Sequence, residues 1–281
     1  MKEKNIHWFP GHMKKALNEI EERIKLIDVV IEILDARAPL ASMNPFLEER
    51  IANKPHLMVI SKSDLADQSE NDKWLSYFKS KGYAVVIGDL KDRSIIKTIS
   101  KELVGLSSAK REKEARRGMK PQPIKSMIVG IPNVGKSTLI NKIAKRPSAG
   151  VENRPGFTKA EQWIKVDKDF MLLDTPGVLP MHYESEEEAA KLALIGSIRE
   201  DILPYDILVS NLLVFLRKYY PNSLKERFGI SEIKDDDSVI KDICIKRGLL
   251  SSGQLDFQRG KVLLIKEYKD GLLGRMSLER V

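Results

Sequence analysis

The pattern of apolar residues predicts an α/β domain followed by an all-helical domain. Strand patterns and helical patterns alternate over residues 1–180, whereas residues 181–281 show helical patterns alone. Helices that connect successive strands return the chain to the same end of a sheet, which favours parallel pairing. We therefore expect a doubly wound, mostly parallel sheet in domain 1–180 and a helical domain in 181–281.

Each element of the first domain follows from its local pattern. Strands buried on both faces are continuous, apolar and rich in β-branched residues, and the segments of this kind are 29–34, 56–60, 83–87 and 124–131. A hairpin is predicted from strands 162–166 and 169–173. One apolar face at helical spacing predicts helices at 13–27, 70–80, 94–104 and 136–145.

The second domain and the connector between the two halves of the first are read in the same way. The predicted helices of the second domain are 186–200, 204–219, 222–228, 236–247 and 254–269. Residues 107–123 form a basic connector, which is either a solvated helix and turn or a basic arm that touches nucleic acid. The helical domain is either a docking surface for RNA or protein, or a lid that only covers apolar surface.

Composition excludes several classes of protein. Of the 281 residues, 42% are hydrophobic and 31% are charged, which is typical of a folded globular chain and not of a disordered one. The single cysteine, Cys244, excludes a disulfide framework and a cysteine-based zinc site. The N-terminus lacks a secretory signal, and the longest apolar run, 207–216, is too short to cross a membrane. We expect a cytoplasmic protein without stable membrane association.

The positive charge is concentrated in the first two thirds of the chain. Residues 1–182 hold 32 basic and 23 acidic side chains, whereas residues 183–281 hold 16 and 17. A basic surface favours polyanions such as RNA or an acidic membrane. General solubility explains a net charge of +8 equally well, so charge alone leaves both interpretations open.

A phosphate-binding motif lies between a predicted strand and a predicted helix. Residues 130–137, G-I-P-N-V-G-K-S, match the pattern G-x-x-x-x-G-K-[ST]. Its glycines let the backbone N–H groups face phosphate oxygens, and the helix N-terminus adds a positive dipole. In this motif Lys136 reaches the β- and γ-phosphates and the Ser137 hydroxyl binds Mg²⁺. The other residues predicted to contact the nucleotide here are Asn133, Val134, Gly135 and Thr138.

Two further segments are predicted to complete the phosphate site. Asp174 follows the strand 169–173 in the sequence D-T-P-G, where it is placed to hold the Mg²⁺ shell, and the Gly177 N–H can meet the γ-phosphate. Thr158 lies in a polar loop and is predicted to bind Mg²⁺ when a γ-phosphate is present, so that this loop orders with triphosphate. We expect Lys136 and Thr158 to act in catalysis as well as in binding.

A motif for guanine follows the second predicted strand. Residues 61–64, S-K-S-D, resemble the pattern [NT]-K-x-D. The Asp64 carboxylate can accept from the N1–H and N2–H₂ groups of guanine, a donor pair that adenine lacks, and the Lys62 stem can lie over the base. Ser61 replaces the usual Asn, which we expect to weaken the scaffold of the loop. Residues 88–90 take the place of the usual backing motif.

The order of these motifs along the chain is circularly permuted. Asp64 lies 66 residues before Gly130, whereas in Ras-like GTPases the guanine motif follows the phosphate loop. The termini of a compact domain are often close together, so they can be joined while new ends open elsewhere. The new opening falls just after Gly177, and we expect the nucleotide state to position the helical domain attached there.

With these motifs the sequence resembles the circularly permuted GTPases and, among them, the bacterial ribosome biogenesis GTPase A family. The additional motifs that carry the resemblance are W-F-P-G-H-M at 8–13, D-A-R-A-P at 35–39 and N-P at 44–45. The resemblance implies a GTPase that uses GTP, GDP and Mg²⁺ and acts late in assembly of the large ribosomal subunit. It also implies contact with precursor ribosomal RNA and ribosomal proteins, and stimulation by that particle. We expect a monomer whose turnover alone is slow.

The group that positions the attacking water is not obvious from the nucleotide motifs. Val178 stands where Ras-like enzymes have a Gln that orients this water, and a valine side chain has no polar group for the task. The resemblance assigns the role to His12, whose imidazole can hydrogen-bond a water. The alternative is that His12 caps the first helix or packs on Trp8.

Two other polar positions leave alternatives open. Asn133 occupies the position at which some related GTPases coordinate K⁺, whose charge would stabilise the reacting phosphates. Asn133 also simply suits a tight turn. For Asp35 and Arg37 we favour a structural ion pair near the guanine side over a catalytic role.

Three other functions remain as alternatives to the assembly GTPase. The first is an RNA-binding switch with negligible turnover, against which the intact Lys136, Ser137, Thr158 and Asp174 argue. The second is an enzyme that uses adenine nucleotides, against which Asp64 argues. The third is a GTPase of the membrane surface, for which the sequence shows neither a lipidation motif nor a basic helix with a strong apolar stripe.

Overall fold

The computed structural model describes residues 11–144, 151–152, 163–166, 169–175, 177–180, 185–199, 202–232 and 234–281. For residues 11–14, 144 and 151–152 it describes the backbone alone. The predictions for Thr158, for residues 8–10 of the W-F-P-G-H-M motif and for the side chain of His12 therefore lie outside the described part of the chain.

A seven-stranded sheet forms the centre of the first domain. Its strands are β1 (Val29–Asp35), β2 (His56–Ser61), β3 (Ala84–Ile87), β4 (Ile124–Val129), β5 (Val151–Glu152), β6 (Trp163–Lys165) and β7 (Phe170–Leu173). The order across the sheet is β3-β2-β1-β4-β7-β6-β5. The first five strands in this order pair in parallel, whereas β6 and β5 add antiparallel pairs. The predicted mostly parallel sheet and the hairpin β6–β7 are confirmed.

One helix precedes the first strand of this sheet, and the others follow its parallel strands. They are α1 (Gly11–Arg23), followed by a 3₁₀ turn (Ile24–Leu26), α2 (Pro39–Ser42), α3 (Pro45–Ile51), α4 (Gln68–Ser80), α5 (Ser94–Leu106), α6 (Ser108–Arg116) and α7 (Lys136–Ala144). The helices predicted for α4, α5 and α7 lie within two residues of these bounds. The basic connector forms helix α6 and a turn, and its contact with nucleic acid stays a prediction.

The second part of the chain is mainly helical, but it is not all helical. Its elements are α8 (Glu186–Leu194), α9 (Tyr205–Tyr219), α10 (Ser223–Phe228), α11 (Asp236–Arg247), the short strands β8 (Leu250–Ser251) and β9 (Gln254–Leu255), and α12 (Phe257–Lys269). The prediction of a helix from residue 254 was wrong because β8 and β9 form a hairpin here. Ser252 and Gly253 adopt φ of 50° and 79°, as a tight two-residue hairpin turn requires.

The end of helix α8 was also predicted wrongly, at residue 200 instead of Leu194. Gly196 adopts a φ of 81°, and the Ser197 N–H donates to the carbonyl of Leu192. A left-handed glycine with this hydrogen bond closes a helix. The chain therefore turns directly after α8, and this turn lies at the candidate site described below.

The two parts of the chain share one hydrophobic core. A single cluster of buried side chains includes Ile31 and Ile128 from the sheet and Leu192, Leu212 and Leu264 from the helices. The last strand of the sheet ends at Leu173 and the first helix beyond it begins at Glu186. The boundary at residue 180 stays a prediction. None of the helices in the described ranges combines the length and the apolar character needed to cross a membrane.

Candidate nucleotide-binding site

The phosphate loop connects the end of β4 to the start of α7, at the carboxyl edge of the parallel strands. Gly130 and Gly135 adopt φ of +143° and +110°, which other residues rarely tolerate. A Cβ atom at Gly130 would lie 2.6 Å from the carbonyl oxygen of Ile33 on β1. The glycines of the motif are therefore required by the backbone path, and that path turns the first N–H groups of α7 towards a bound anion.

Lys136 is folded back into this loop. Its Nζ donates to the carbonyl oxygens of Gly130 at 3.0 Å and Ile131 at 2.7 Å. Burial lowers the pKa of Lys136 to about 8, and the nearby Asp174 carboxylate only partly opposes this shift. The loop therefore already holds a cationic amine next to the backbone that would bind phosphate.

The segment after β7 packs against the phosphate loop. The Thr175 hydroxyl donates to the carbonyl of Ile128 on β4 at 2.5 Å. A Cβ atom at Gly177 would lie 2.9 Å from the Nζ of Lys136 and 2.9 Å from the backbone nitrogen of Pro132. The structure thus places Asp174 and Gly177, predicted from the D-T-P-G sequence, directly beside the loop that would hold the phosphates.

The oxygen donors expected for a magnesium ion lie at this edge. Ser137, at the start of α7, and Asp174, after β7, are both exposed. Hydroxyl and carboxylate oxygens beside a phosphate loop are the hard ligands that Mg²⁺ prefers. These two residues fit such an ion. The third predicted ligand, Thr158, lies outside the described residues.

The side chain of Val178 is buried and does not reach a water at the phosphate site. Its side chain is fully buried, its N–H donates to the Gly130 carbonyl at 3.3 Å, and its carbonyl accepts from Nδ2 of Asn44 at 2.8 Å. An apolar side chain held in the core cannot orient an attacking water. The backbone of His12 lies in the first turn of α1.

The guanine motif follows β2 and faces the phosphate loop across a cavity. Lys62 adopts a φ of 57°, and Asp64 forms an exposed ion pair with Lys91, in which Oδ2 and Nζ are 3.3 Å apart. A cavity of about 300 Å³ is lined by Lys62, Asp64, Asp89, Leu90, Gly135 and Thr138, among others. The structure therefore brings together the two motifs that lie 66 residues apart in the chain. Asp89 and Leu90, from the segment 88–90, line the same cavity.

Ser61 connects the guanine motif to the phosphate loop. It is fully buried, and its Oγ lies 2.5 Å from the carbonyl oxygen of Val134 and 2.9 Å from that of Leu34. A hydroxyl has one proton, so it donates to one of these carbonyls at a time, whereas an Asn amide offers two donor hydrogens. Ser61 keeps the link between the motifs with fewer donors, and the expected weakening of the loop stays a prediction.

Asp35 and Arg37 form a buried ion pair beside the guanine side of the cavity. The Arg37 guanidinium donates to both carboxylate oxygens, at 2.8 and 3.0 Å, and Nζ of Lys62 lies 2.8 Å from Oδ2 of Asp35. These two cations outweigh the effect of burial and lower the pKa of Asp35 to about 2. This geometry agrees with the preferred structural role, since the carboxylate holds the lysine of the guanine motif in place.

A turn of the helical part touches both sides of the cavity, which the sequence analysis missed. The Arg37 guanidinium donates to the Ile195 carbonyl at 2.9 Å, and Nδ2 of Asn133 donates to the Gly196 carbonyl at 2.7 Å. Asn133 also adopts a φ of 61°, as the tight-turn interpretation requires. The K⁺ alternative for this residue stays a prediction. The one available signal in the sequence was Gly196, which ends α8.

Comparison with known proteins agrees with this geometry. A family model described as "50S ribosome-binding GTPase" matches residues 125–244, which include the phosphate loop and exclude the guanine motif before it. Ribosome biogenesis GTPase A from Bacillus cereus is 43% identical over 276 residues, which cover 98% of this chain and 93% of that protein.

Two solved structures of YlqF show the same fold. The GNP-bound YlqF from T. maritima is 30% identical, with a TM-score of 0.64 and coverage of 95% of this chain and 98% of that chain. A GDP-bound YlqF is 29% identical, with a TM-score of 0.65 and coverage of 93% and 98%. The chain therefore belongs to the ribosome biogenesis GTPase A family and is a circularly permuted P-loop GTPase that acts in ribosome biogenesis.

Proposed function

We propose that this GTPase is an assembly factor that binds a precursor of the large ribosomal subunit and changes its contacts with the GTP or GDP state. The observation that carries the proposal is the cavity between Asp64 of the guanine motif and Gly135 of the phosphate loop. The helical part contacts both loops through residues 195–196. A nucleotide in this cavity would therefore act on the position of the helical part.

The residues around the cavity divide into base-binding and phosphate-binding groups. The Asp64 carboxylate accepts from N1–H and N2–H₂ of guanine, the Lys62 stem covers the base, and Ser61 holds the two loops together. On the other side Lys136 binds the β- and γ-phosphates and Gly177 meets the γ-phosphate. The remaining residues proposed to contact the nucleotide are Asn133, Val134, Gly135, Ser137 and Thr138.

Ser137, Asp174 and Thr158 are proposed to hold Mg²⁺. When bound, this ion supplies positive charge to the β- and γ-phosphate oxygens as negative charge develops there. The support from this chain is the exposed hydroxyl of Ser137 and the exposed carboxylate of Asp174 beside the phosphate loop. Thr158 enters the proposal from the sequence alone.

His12 is proposed to orient the attacking water. Two arguments support this role: the resemblance to the family, and the buried Val178, which leaves the position after D-T-P-G without a polar side chain. A water held by His12 is expected to need the ribosomal particle for its alignment, so turnover of the isolated protein is slow.

RNA contact is proposed for the basic face of the first domain. Helix α6 and the turn after it carry the exposed basic side chains Lys113, Arg116, Arg117 and Lys120. Exposed cations of this density attract phosphate groups and make binding dependent on salt. We further propose a cytoplasmic monomer that does not associate stably with membranes, and we keep K⁺ at Asn133 as an alternative to the turn.

The experiment measures phosphate release from GTP and from ATP, with Mg²⁺ and K⁺, in the presence and absence of purified mature and immature large subunits. We expect the isolated protein to hydrolyse GTP slowly and to leave ATP intact. One of the two particles is expected to accelerate GTP hydrolysis, and this acceleration is expected to be lost in His12→Ala. Stimulation that survives in His12→Ala contradicts the role of His12 and leaves the assembly GTPase in place. No stimulation by either particle contradicts the proposed partner.

A further inference from the structure

The C-terminal segment, residues 275–281, lies against a loop that begins within the guanine motif. This loop comprises residues 63–68 and leads from Asp64 into α4. The Arg275 guanidinium donates to the carbonyl of Ser63 at 2.7 Å and to the carbonyl of Ala66 at 2.9 Å. A segment at the far end of the chain therefore holds the backbone on both sides of the base-reading carboxylate.

Arg275 spans the whole of this loop. Besides its two carbonyl contacts, it donates to Oε1 of Gln68, in the first turn of α4, at 2.9 Å. A guanidinium is planar and presents its donors in a fixed fork, so three simultaneous hydrogen bonds define the relative positions of their acceptors. Ser63 directly precedes Asp64, and its carbonyl belongs to the peptide group that sets the orientation of Asp64.

Neighbouring residues hold the same loop through the backbone. The Met276 N–H donates to the Leu65 carbonyl at 2.9 Å, and the Ser277 hydroxyl accepts from the Asp67 N–H at 3.2 Å. Met276 and Ser277 are buried, whereas Arg275 is exposed. The buried residues thus keep the segment in place, and the loss of the exposed Arg275 side chain leaves this packing intact.

We propose that Arg275 is a positioning residue for guanine recognition, which keeps the loop 63–68 in the geometry that aligns the Asp64 carboxylate with the edge of the base. This inference rests on the proposed role of Asp64 as the guanine reader. Arg275 lies 211 residues after Asp64 in the chain, and through it the C-terminal segment of the helical part determines base selectivity.

The 2-amino group of guanine provides a way to distinguish positioning of the Asp64 carboxylate from general stabilisation of the protein. Guanine offers two donors to Asp64, N1–H and N2–H₂, whereas hypoxanthine offers N1–H alone. The preference for GDP over IDP therefore measures how well the carboxylate is aligned with both donors. A hydrogen bond to a charged group changes affinity by about tenfold to a hundredfold, so misalignment lowers the GDP preference by about tenfold.

Arg280 provides a matched control in the same segment. Its guanidinium lies 2.7 Å from Oε1 of the buried Glu70 on α4 and 4.8 Å from the ring centroid of Tyr219. It carries the same charge as Arg275, but its guanidinium contacts Glu70 and the Tyr220 hydroxyl instead of the carbonyls that Arg275 holds in residues 63–68. Arg280→Met is therefore expected to reduce stability more than Arg275→Met, and base selectivity less.

The experiment measures the dissociation constants of GDP and IDP for the wild-type protein and for Arg275→Met, Arg275→Lys and Arg280→Met, together with their melting temperatures. We expect Arg275→Met to lose most of the GDP preference at a nearly unchanged melting temperature. Arg275→Lys retains charge without the fork and is expected to lose nearly as much. Arg280→Met is expected to keep the preference at a lower melting temperature.

Two results contradict the proposal. If Arg275→Met weakens the binding of GDP and IDP by the same factor, or weakens the binding of neither, Arg275 has no positioning role. A preference of the wild type for GDP in that experiment leaves the assignment of Asp64 as the guanine-reading residue in place. If the wild type binds GDP and IDP equally well, the assignment of Asp64 fails, and the role of Arg275 fails with it.

Discussion

Lys136 shows at the residue scale how the loop is prepared for phosphate. Its Nζ is held by the carbonyls of Gly130 and Ile131, and burial brings its pKa to about 8. Phosphate favours the charged form of the amine and raises the pKa of Lys136 when GDP binds. Protonation and nucleotide binding are therefore coupled in the pH range around this pKa.

The first prediction is that GDP binding takes up a proton above pH 8. Near pH 8.5 much of Lys136 is neutral in the free protein and charged in the complex, so binding requires a proton, whereas at pH 6.5 the residue is charged in both. The measurement is calorimetry of GDP binding in buffers of different ionisation enthalpy. An uptake of zero protons at both pH values contradicts this assignment.

The sequence located the residues of the cavity that belong to local motifs. The loop from Gly130, the turn from Asp174 and the S-K-S-D motif ending at Asp64 each combine residue types with a spacing that has a chemical reason. Arg275 and the Ile195 carbonyl belong to no such pattern. Their role depends on which backbone atoms the folded chain brings within hydrogen-bonding distance, and a single sequence does not encode that contact in any local signal.

At the element scale, the long buried elements were predicted well, whereas α2, α3, β5, β8 and β9 were missed. The strands β1, β2 and β4 each bury a continuous run of apolar, β-branched residues, and this pattern is typical of strands that are covered on both faces. Helices α2 and α3 have four and seven residues, too few for a helical period to stand out, although each begins with proline at an early position. The strands β5, β8 and β9 have two residues each, and they form because of their partners.

A cluster of three titratable groups connects three of these elements. Glu32 in β1 is fully buried, and its Oε2 lies 3.2 Å from Nε2 of His56 in β2. Glu48 in α3 lies close to both, and the ligand atoms of the three residues are all within 4.8 Å of one another. Burial raises the pKa of Glu32 to about 7 and that of Glu48 to about 8, and it lowers the pKa of His56.

The second prediction follows from this cluster. The folded-state pKa values of both carboxyls exceed their ordinary value of 4.5, so the folded state binds their protons more tightly than the unfolded state does. Their contribution to stability is fully present below about pH 4.5 and is lost as the pH rises through 7 and 8. Burial lowers the pKa of His56, so this residue contributes little above pH 7. Lys136, whose pKa is lowered to about 8, changes stability in the opposite direction over the same range, so the effect of the carboxyls is measured by comparing the wild type with a variant that lacks one of them.

The measurement is the free energy of unfolding in urea at pH 7 and pH 9 for the wild type and Glu32→Gln. Each carboxyl is expected to lower the stability of the wild type over this range by at most about 1.4 kcal/mol per pH unit, and Lys136 offsets part of this loss. Glu32→Gln removes one of these groups and the charge beside Glu48, so its loss is expected to be clearly smaller. Equal losses in the two proteins contradict a neutral, proton-holding cluster.

At the scale of the whole molecule, the permuted order of motifs means that segments from distant parts of the chain surround the cavity. The guanine motif comes from the first quarter of the chain and the phosphate loop from its middle. The turn at 195–196 and Arg275 come from the helical part. The shared hydrophobic core and these hydrogen bonds hold the parts together. The sequence predicted the permutation but not the contacts of the helical part with the site, and the control of its position by the nucleotide stays a prediction.

The central claim is that Asp64 reads guanine although it precedes the phosphate loop. The most direct measurement is the affinity of the wild type and of Asp64→Asn for GDP and for xanthosine diphosphate. A carboxylate accepts from both N1–H and N2–H₂ of guanine, whereas an amide accepts from N1–H and donates to the 2-oxygen of xanthine.

We expect the wild type to favour GDP and Asp64→Asn to favour xanthosine diphosphate, each by at least about a hundredfold, because a mismatched polar group in a binding site is costly. Arg275 and the rest of the cavity are unchanged in this variant, so the reversal reports on the base alone. If Asp64→Asn still binds GDP as tightly as the wild type and rejects xanthosine diphosphate, another residue reads the base and the central claim is wrong.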